Sequence, residues 1–373
     1  MQVVVIREQG PSERRVALVP REAKKLVDNG VSVLVEAGAG AKAGYPDTAY
    51  EEVGSVIGAP QADNPAPSIG GADEDLVVVT IGFPAVELLG APSNNTIVIG
   101  LQAPPDGDPL IDAMAGHVEG YAFDRVPRTT RAQAMDALSS QATAAGYSAV
   151  LLGAKLSPRL FPMLTTAAGT VPPASVLVLG AGVAGLQAIA TARRLGAVVT
   201  AYDVRPEVEE QIASLGAKFI EAPQVATSSE SGYAQVLSED TSRAQLDALA
   251  PYVADADVVI TTAQVPRVTA PILVTESMVA RMNAGAVIID MAASTGGNCE
   301  LTTADAEVEV NGVLIAGPTD LASHVAHDAS RMYSRNMGAL LELLLDGDKL
   351  RGDRHDEILL AARITPTEPG GDV

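Results

Sequence analysis

The sequence predicts an α/β protein of two doubly wound domains, the first of them discontinuous, joined by long helices with a cleft between. Three observations lead there. Short β-branched runs alternate with helical stretches along most of the chain, the pattern of a parallel sheet covered by helices. Two long helical patterns, 132–156 and 320–345, divide that series. A chain of 373 residues also has the length for two full hydrophobic cores.

Taken in order, the first strands fall at Val3–Ile6, Val31–Glu36, Leu76–Thr80 and Thr96–Leu101, with helical stretches such as Glu22–Asn29 and Leu110–Ala115 between them. Ala132–Leu156, rich in Ala, Leu, Met and Gln, reads as one long helix leaving this unit. Thr165–Ala174, with a Gly and two prolines, opens the second unit. That unit starts at the strand beginning with Val176 and continues through Val258–Thr261, Ala286–Asp290 and Val313–Ala316, each a buried-strand pattern. After Gly317 the long helical pattern Asp320–Leu345 returns the chain to the first unit. The expected division is therefore 1–135 plus 320–373, against 136–319. The charged tail from Gly347 ends in a Pro-Gly stretch expected to be mobile, and Gln224–Arg243, polar and Ser-rich around Tyr233, is a second flexible candidate.

The most informative segment is 176–203: strand, turn, helix, second strand and acidic end. Its turn, G-A-G-V-A-G, carries Gly180, Gly182, Val183 and Gly185. Such glycines permit a tight turn, let backbone approach a pyrophosphate and let the helix pack closely on the sheet, while the helix N-terminus supplies N–H donors. Asp203, at the tip of the strand Ala197–Tyr202, is placed to accept hydrogen bonds from ribose hydroxyls and to repel a 2′-phosphate. The fold is therefore expected to be Rossmann-like and the cofactor NAD(H) rather than NADP(H), with Arg205 as the residue that leaves room for the phosphate.

Composition narrows the partners. A net charge of −21 argues against a nucleic-acid backbone as ligand. The single cysteine, Cys299, excludes an intrachain disulfide and fits a reducing compartment; it is either a buried small hydrophobe or a reactive thiol. No apolar run reaches the length of a membrane span and no signal stretch precedes the first strand, so direct membrane insertion is not expected.

A second constellation is Arg128, Gln133, Asp136 and Ser139. The last three are spaced by three and on a helix would share a face. An amide, a carboxylate and a hydroxyl together match a carboxamide, which needs donors and acceptors; a solvated polar face with a local Arg128–Asp136 ion pair is the alternative. Groups to move a substrate proton are scarce. The strand ends offer Thr80, Gly82 and Phe83, then Gln102 and Ala103, with no Lys or His. The histidines are His117, His324, His327 and His355; the pair three apart reads as a surface pair, and no metal site is expected. Arg14 and Arg15 are placed either to grip an anion or to tie their loop to a helix.

Several blocks together carry a family resemblance: R-R-V-A-L-V-P (14–20), R-A-Q-A-M-D-A-L-S-S-Q (131–141), A-A-G-T-V-P-P-A (167–174), Leu179–Val199, G-A-K-F-I (216–220), G-Y-A (232–234), G-G-N-C (296–299) and A-H-D-A-S (326–330). Through them the chain resembles, over nearly its whole length, the NAD(H)-binding subunits of proton-translocating transhydrogenases. Alanine dehydrogenase shares the fold and the R-V-A-L opening, but the 131–140 and G-G-N-C blocks look specific to the transhydrogenases. The resemblance implies that Arg128, Gln133, Asp136 and Ser139 position the nicotinamide, and that Tyr233 sits on a loop closing over the nucleotide. The cofactor-binding set is then Gly180, Gly182, Val183, Gly185, Asp203, Arg205, Tyr233 and Ala263. It further implies an NADP(H)-binding partner subunit, proton-translocating membrane subunits, a homodimer, and a cytoplasmic, peripheral place at the inner face of the membrane. The alternatives are an alanine-type amino-acid dehydrogenase and an NAD-sensing module without chemistry. Departures lie at Thr80–Phe83, where relatives commonly keep basic residues, at His324, where arginine is usual, and at Ser294 and Thr295; none touches the nicotinamide set.

Overall fold

The computed structural model describes residues 1–58, 75–84, 96–105, 107–114, 118–221, 239–264 and 268–365. The chain divides into two units, Met1–Gln141 with Val325–Val373, and Ala142–His324.

In the first unit, β1 (Gln2–Val5), α1 (Pro20–Asp28), β2 (Ser32–Glu36), α2 (Asp47–Glu51), β3 (Val56–Gly58), β4 (Leu76–Val79), β5 (Thr96–Gly100), α3 (Pro109–Met114) and β6 (Val118–Ala122) follow in order. The six strands pair in the order β3-β2-β1-β4-β5-β6, all parallel. That order reverses between β1 and β4, as in a doubly wound sheet. Val3, Val4 and Val5 are wholly buried, which is why a continuous β-branched run rather than an alternating one codes this strand. α1 opens with Pro20 at its first position, where a fixed φ costs nothing, and buries Ala23 and Leu26. β6, V-E-G-Y-A, was not among the expected strands. Its Glu119 is an unusual strand residue, held here by the Arg354 guanidinium at 2.6 Å, and a side chain at Gly120 would strike Ile364.

The long helix expected from Ala132 begins later. A 3-10 turn, Thr130–Met135, comes first; the backbone leaves helical geometry at Asp136 (φ −73°, ψ 76°), and α4 runs Ala137–Leu156. In the second unit the remainder of α4 is followed by a hairpin of β7 (Leu164–Thr166) and β8 (Gly169–Val171), then β9 (Ser175–Leu179), α5 (Val183–Arg194), β10 (Val198–Tyr202), α6 (Glu209–Ser214), β11 (Lys218–Phe219), α7 (Glu239–Asp255), β12 (Val258–Thr261), α8 (Glu276–Val279), β13 (Val287–Asp290), β14 (Glu307–Val310) and β15 (Val313–Ala316). Seven of these strands pair as β11-β10-β9-β12-β13-β15-β14, with only β14 antiparallel. α4 lies close to α5: a Cβ on Gly146 would sit 2.2 Å from the Ala184 carbonyl oxygen. The flexible candidate 224–243 reaches into α7 at its end; its remainder, with Tyr233, lies outside the described residues.

The second long helix is also shorter than its sequence pattern, a 3-10 turn Leu321–Val325 preceding α9 (Ala326–Leu344). Tyr333, Met337, Leu340, Leu341 and Leu344 put one face of α9 into the core of the first unit. Beyond a small hairpin, β16 (Leu345–Asp346) with β17 (Lys349–Leu350), the charged tail forms α10 (Glu357–Ala362), capped by Asp356 and anchored by Ile358, Leu359 and Ala362. The Pro-Gly end lies outside the described residues.

Candidate functional site

In the seven-stranded sheet the strand order reverses between β9 and β12, the position where doubly wound sheets bind ligands. The G-A-G-V-A-G turn leaves β9 there, and its three glycines have three different reasons. Gly180 has φ +102°, a left-handed conformation that excludes side chains, and a Cβ would lie 2.6 Å from Thr262 Oγ1. At Gly185 a Cβ would lie 1.9 Å from the Gly180 carbonyl oxygen, so this glycine lets α5 pack on the turn. Gly182, the N-cap of α5, has an extended backbone that any residue adopts (φ −73°, ψ −168°), and a Cβ there would meet nothing within 4 Å. Neither backbone nor neighbours require glycine at 182. The first turn of α5 also has no side-chain cap, and Val183 beside it is exposed. Uncapped N–H donors at the positive end of a helix, facing open space, fit a pyrophosphate.

Asp203, at the tip of β10, is buried. It accepts from the Ala181 N–H (2.7 Å to Oδ2) and is gripped by Arg205, Nε to Oδ1 at 2.9 Å and Nη2 to Oδ2 at 3.1 Å. The acid thus braces the glycine turn from behind. The Arg205 N–H also donates to Oδ1 at 2.9 Å, so four N–H groups fill the carboxylate's lone pairs, and a ribose hydroxyl would be accepted there only in place of the Arg205 side chain. Arg205 is turned onto Asp203.

Ala263 follows β12, where Thr262 Oγ1 donates to the Gly180 carbonyl at 3.0 Å. The side chain of Asn298 holds both backbone groups of Ala263: Oδ1 accepts its N–H at 3.1 Å and Nδ2 donates to its carbonyl at 2.8 Å. Asn298 is itself placed by Asp290, the fully buried last residue of β13. That carboxylate accepts from Thr261 Oγ1 (2.8 Å), Ala292 N–H (3.0 Å), Asn298 N–H (2.7 Å), Cys299 N–H (3.0 Å) and Thr302 Oγ1 (2.6 Å). The role of Asn298 and Asp290 escaped the reading of the G-G-N-C block as a sequence. The signal available in the sequence was an acid closing the V-I-I-D strand run, followed by the Gly296-Gly297 pair, both of which take positive φ. Cys299 is the buried small residue of the two readings, and burial pushes its thiol up.

The second constellation is a corner rather than a helix face, which corrects the expectation drawn from spacing. Gln133 lies in the 3-10 turn, Asp136 at the break and Ser139 in the first turn of α4. Asp136 caps that turn, accepting from the Ser139 N–H at 2.9 Å and the Ser139 hydroxyl at 2.6 Å. Gln133 is exposed, and its carboxamide bonds to none of the described residues. Arg128 is exposed on the segment entering the turn.

At the strand ends of the first unit, Glu8 joins the loops after β1 and β4, accepting the Ile81 N–H at 2.7 Å and the Gly82 N–H at 3.2 Å, and burial pushes its carboxyl up to about 7. Thr80 is buried, with its carbonyl accepting from Tyr333 at 2.7 Å. Arg15 serves as a tie: its guanidinium bonds Glu13 twice and Gln141 Oε1 at 2.8 Å. His324 pairs with Asp320 at 3.2 Å, while His327 bonds the Ala43 carbonyl and stacks on Tyr45 with centroids 4.4 Å apart. His117 lies outside the described residues.

Comparison with known proteins gives two matching family models, "Alanine dehydrogenase/PNT, N-terminal domain" over residues 4–145 and "Alanine dehydrogenase/PNT, C-terminal domain" over residues 149–367. An NAD(P) transhydrogenase alpha subunit of Rhodospirillum rubrum is 42% identical, covering 93% of this chain and 91% of that protein. A crystal structure of transhydrogenase from Sinorhizobium meliloti superposes with a TM-score of 0.80 at 39% identity, covering 94% of this chain and 98% of that one. Alanine dehydrogenase 2 of Staphylococcus aureus is 29% identical, covering 81% of this chain and 74% of that protein.

Proposed function

Since the chain belongs to the alanine dehydrogenase/PNT family, and within it to the NAD(P) transhydrogenase alpha subunits, we propose that it holds NAD(H) for direct hydride exchange with NADP(H) carried on a partner subunit. It is an oxidoreductase that binds NAD(H), and bound NAD(H) supplies the hydride or its acceptor. The chain's own residues bind and aim. The Gly180–Gly185 turn and the α5 N-terminus take the pyrophosphate, Asp203 the ribose, and Ala263, fixed by Asn298, lies beside the turn. Arg128, Gln133, Asp136 and Ser139 hold the carboxamide, and Tyr233 belongs to a segment that closes over the nucleotide. The observation that carries this reading is Gln133, whose exposed amide is left without a partner among the described residues beside an Asp136–Ser139 pair already locked together. Hydride exchange between two like rings moves no substrate proton, so positioning suffices. The strand ends at Thr80 and Gln102 bear neither Lys nor His, which suits that chemistry and not an amino-acid dehydrogenase.

The two nicotinamide couples are nearly isoenergetic, so net NADPH formation needs an outside drive, which we assign to proton-translocating membrane subunits. One proton crossing about 150 mV supplies roughly 3.5 kcal/mol, a few-hundred-fold bias. No described helix is long and apolar enough to cross a membrane, and we place the chain peripherally at the cytoplasmic face. We also assign a homodimer. No Asp or Glu occurs between Asp136 and Asp203 in a chain of net charge −21. Tyr147, Leu151, Leu160, Met163, Leu164 and Val171, in that same stretch, are exposed. An acid-free stretch with exposed apolar side chains is where two such copies repel least.

The test is to mix the purified chain with a transhydrogenase NADP(H)-binding domain and follow reduction of an NAD analogue by NADH in the presence of NADP(H). Gln133→Ala should slow this turnover by orders of magnitude with little change in NADH affinity. Lost affinity with an unaltered rate contradicts the assignment.

A further inference from the structure

We propose that Asn336, on α9, is a positioning residue for the carboxamide-holding corner, a role that rests on the reading of Gln133, Asp136 and Ser139 given above. The corner is a break between a 3-10 turn and an α-helix, and its shape is not secured by helical hydrogen bonds alone. Asn336 bridges that break. Its Nδ2 donates to the carbonyl of Ala134, the residue after Gln133, at 2.8 Å. Its Oδ1 accepts from the hydroxyl of Ser140, the residue after Ser139, at 2.8 Å. One planar amide therefore fixes the distance between the two limbs that carry Gln133 and Ser139, with Asp136 at the apex.

The orientation of that amide is set by chemistry. A carbonyl oxygen at Ala134 requires a donor, so Nδ2 must face it and Oδ1 must face Ser140. The Ser140 hydroxyl proton is shared between Asn336 Oδ1 and the Ala137 carbonyl, the latter at 3.0 Å; its oxygen accepts from Gln141 Nε2 at 3.1 Å, and Gln141 Nε2 also donates to the Ala329 carbonyl at 3.1 Å. Gln141 Oε1 accepts from Arg15, whose other donors are held by Glu13. Gln141 and Asn336 are both buried. The network thus runs from Glu13 through Arg15, Gln141 and Ser140 to Asn336, and gives Arg15 of the R-V-A-L motif a purpose: it holds one limb of the corner. Met135 and Ala137, on either side of Asp136, are packed in the core of the first unit, so the corner is fixed by packing beside its apex and by Asn336 between its limbs. A misplacement of about 1 Å in a positioned group costs roughly a hundredfold in rate, and a two-ended clamp of this kind is what prevents it.

The test measures hydride exchange in the mixed system together with NADH affinity and thermal stability for Asn336→Leu, Ser140→Ala and Gln133→Ala, and for Asn336→Leu combined with Gln133→Ala. Asn336→Leu should lower the exchange rate about ten- to a hundredfold and leave NADH affinity within about twofold, as binding is held mostly by the second unit's turn. Ser140→Ala, which cuts the same bridge from α4 without altering α9, should lower the rate in the same sense by less; it keeps the proposal testable if Asn336→Leu does not fold. In the Gln133→Ala background Asn336→Leu should add little, since the group it positions is gone; a general structural defect would lower the rate by the same factor in both backgrounds. Normal rates in Asn336→Leu and Ser140→Ala alongside a slow Gln133→Ala overturn the role of Asn336 and leave the carboxamide reading intact. A normal rate in Gln133→Ala overturns that reading and this inference with it.

Discussion

Gly182→Ala and Gly185→Ala should differ in effect, because the two glycines of one turn exist for different reasons. At Gly185 the new methyl would lie 1.9 Å from a backbone carbonyl oxygen that has nowhere to go. Separating the two by an ångström or more means shifting α5 off the turn, an overpacking cost of about 3 kcal/mol, or roughly 6–12 °C in the melting temperature of a unit this size. At Gly182 the methyl enters open space on an ordinary backbone. Lower freedom in the unfolded chain favours alanine by about 0.4–1 kcal/mol and a poorer N-cap disfavours it by a similar amount, so the melting temperature should stay within about 2 °C. That methyl would nevertheless stand where phosphate oxygens approach the α5 N–H groups. Losing one hydrogen bond to a charged group costs about 1.5–3 kcal/mol, so NADH should bind roughly 10- to 100-fold more weakly. The assay is a thermal melt of the ligand-free proteins and calorimetric titration with NADH. Unchanged NADH affinity in Gly182→Ala, or a melting point lowered as far as that of Gly185→Ala, would refute the assignment of the open face to the pyrophosphate.

Asp290→Asn should lower the melting temperature by roughly 4–8 °C, because an amide turned to serve the three donors at Oδ2 leaves the buried Ala292 N–H without an acceptor, at about 2 kcal/mol; a melt within 1 °C or so of the parent would show that the carboxylate is not needed. The Glu8 carboxyl is neutral in the folded chain up to about 7 rather than 4.5. The folded state thus binds the extra proton between those values, and the stability this contributes is full at low pH and lost as pH rises through that window; denaturant titrations across it should slope in the parent and be flatter in Glu8→Gln, with equal slopes counting against the protonated Glu8. Asp203→Ala should weaken NADH binding roughly 10- to 100-fold, through loss of the ribose acceptor and of the brace on Ala181. NADPH binding should not weaken in step, and a parallel loss for both nucleotides would remove Asp203 from the discrimination.

How much of this was legible in the sequence depended on how local the determinant is. The glycine turn and the strand before it are coded by residues within a few positions of one another, and the β-branched runs of β1, β5, β9 and β13 announce strands buried on both faces. The corner at Asp136 defeated spacing. R-A-Q-A-M-D-A-L has good helix formers on both sides of Asp136, yet Asp136 uses its carboxylate to cap Ser139 rather than to continue the helix. β14 was missed although Asn311-Gly312, both at positive φ, is a strong hairpin signal; the charged alternation E-V-E-V hid an edge strand. Asn336 and Ala134 are 202 residues apart, and Asn298 meets Ala263 only after β12 and β13 pair. No spacing rule reaches such partners, because a single buried amide has no signature until the fold supplies its second hydrogen-bonding group.

Hydride passes directly from ring to ring, with no exchangeable proton between, if the site works as proposed. The decisive measurement uses NADH carrying deuterium at the transferred position of C4, the chain mixed with an NADP(H)-binding domain loaded with NADP+, and mass spectrometry of the NADPH formed in ordinary water. Full retention of deuterium in NADPH is predicted. NADPH formed with hydrogen from the solvent, or no transfer alongside NAD reduction driven by L-alanine, would contradict it.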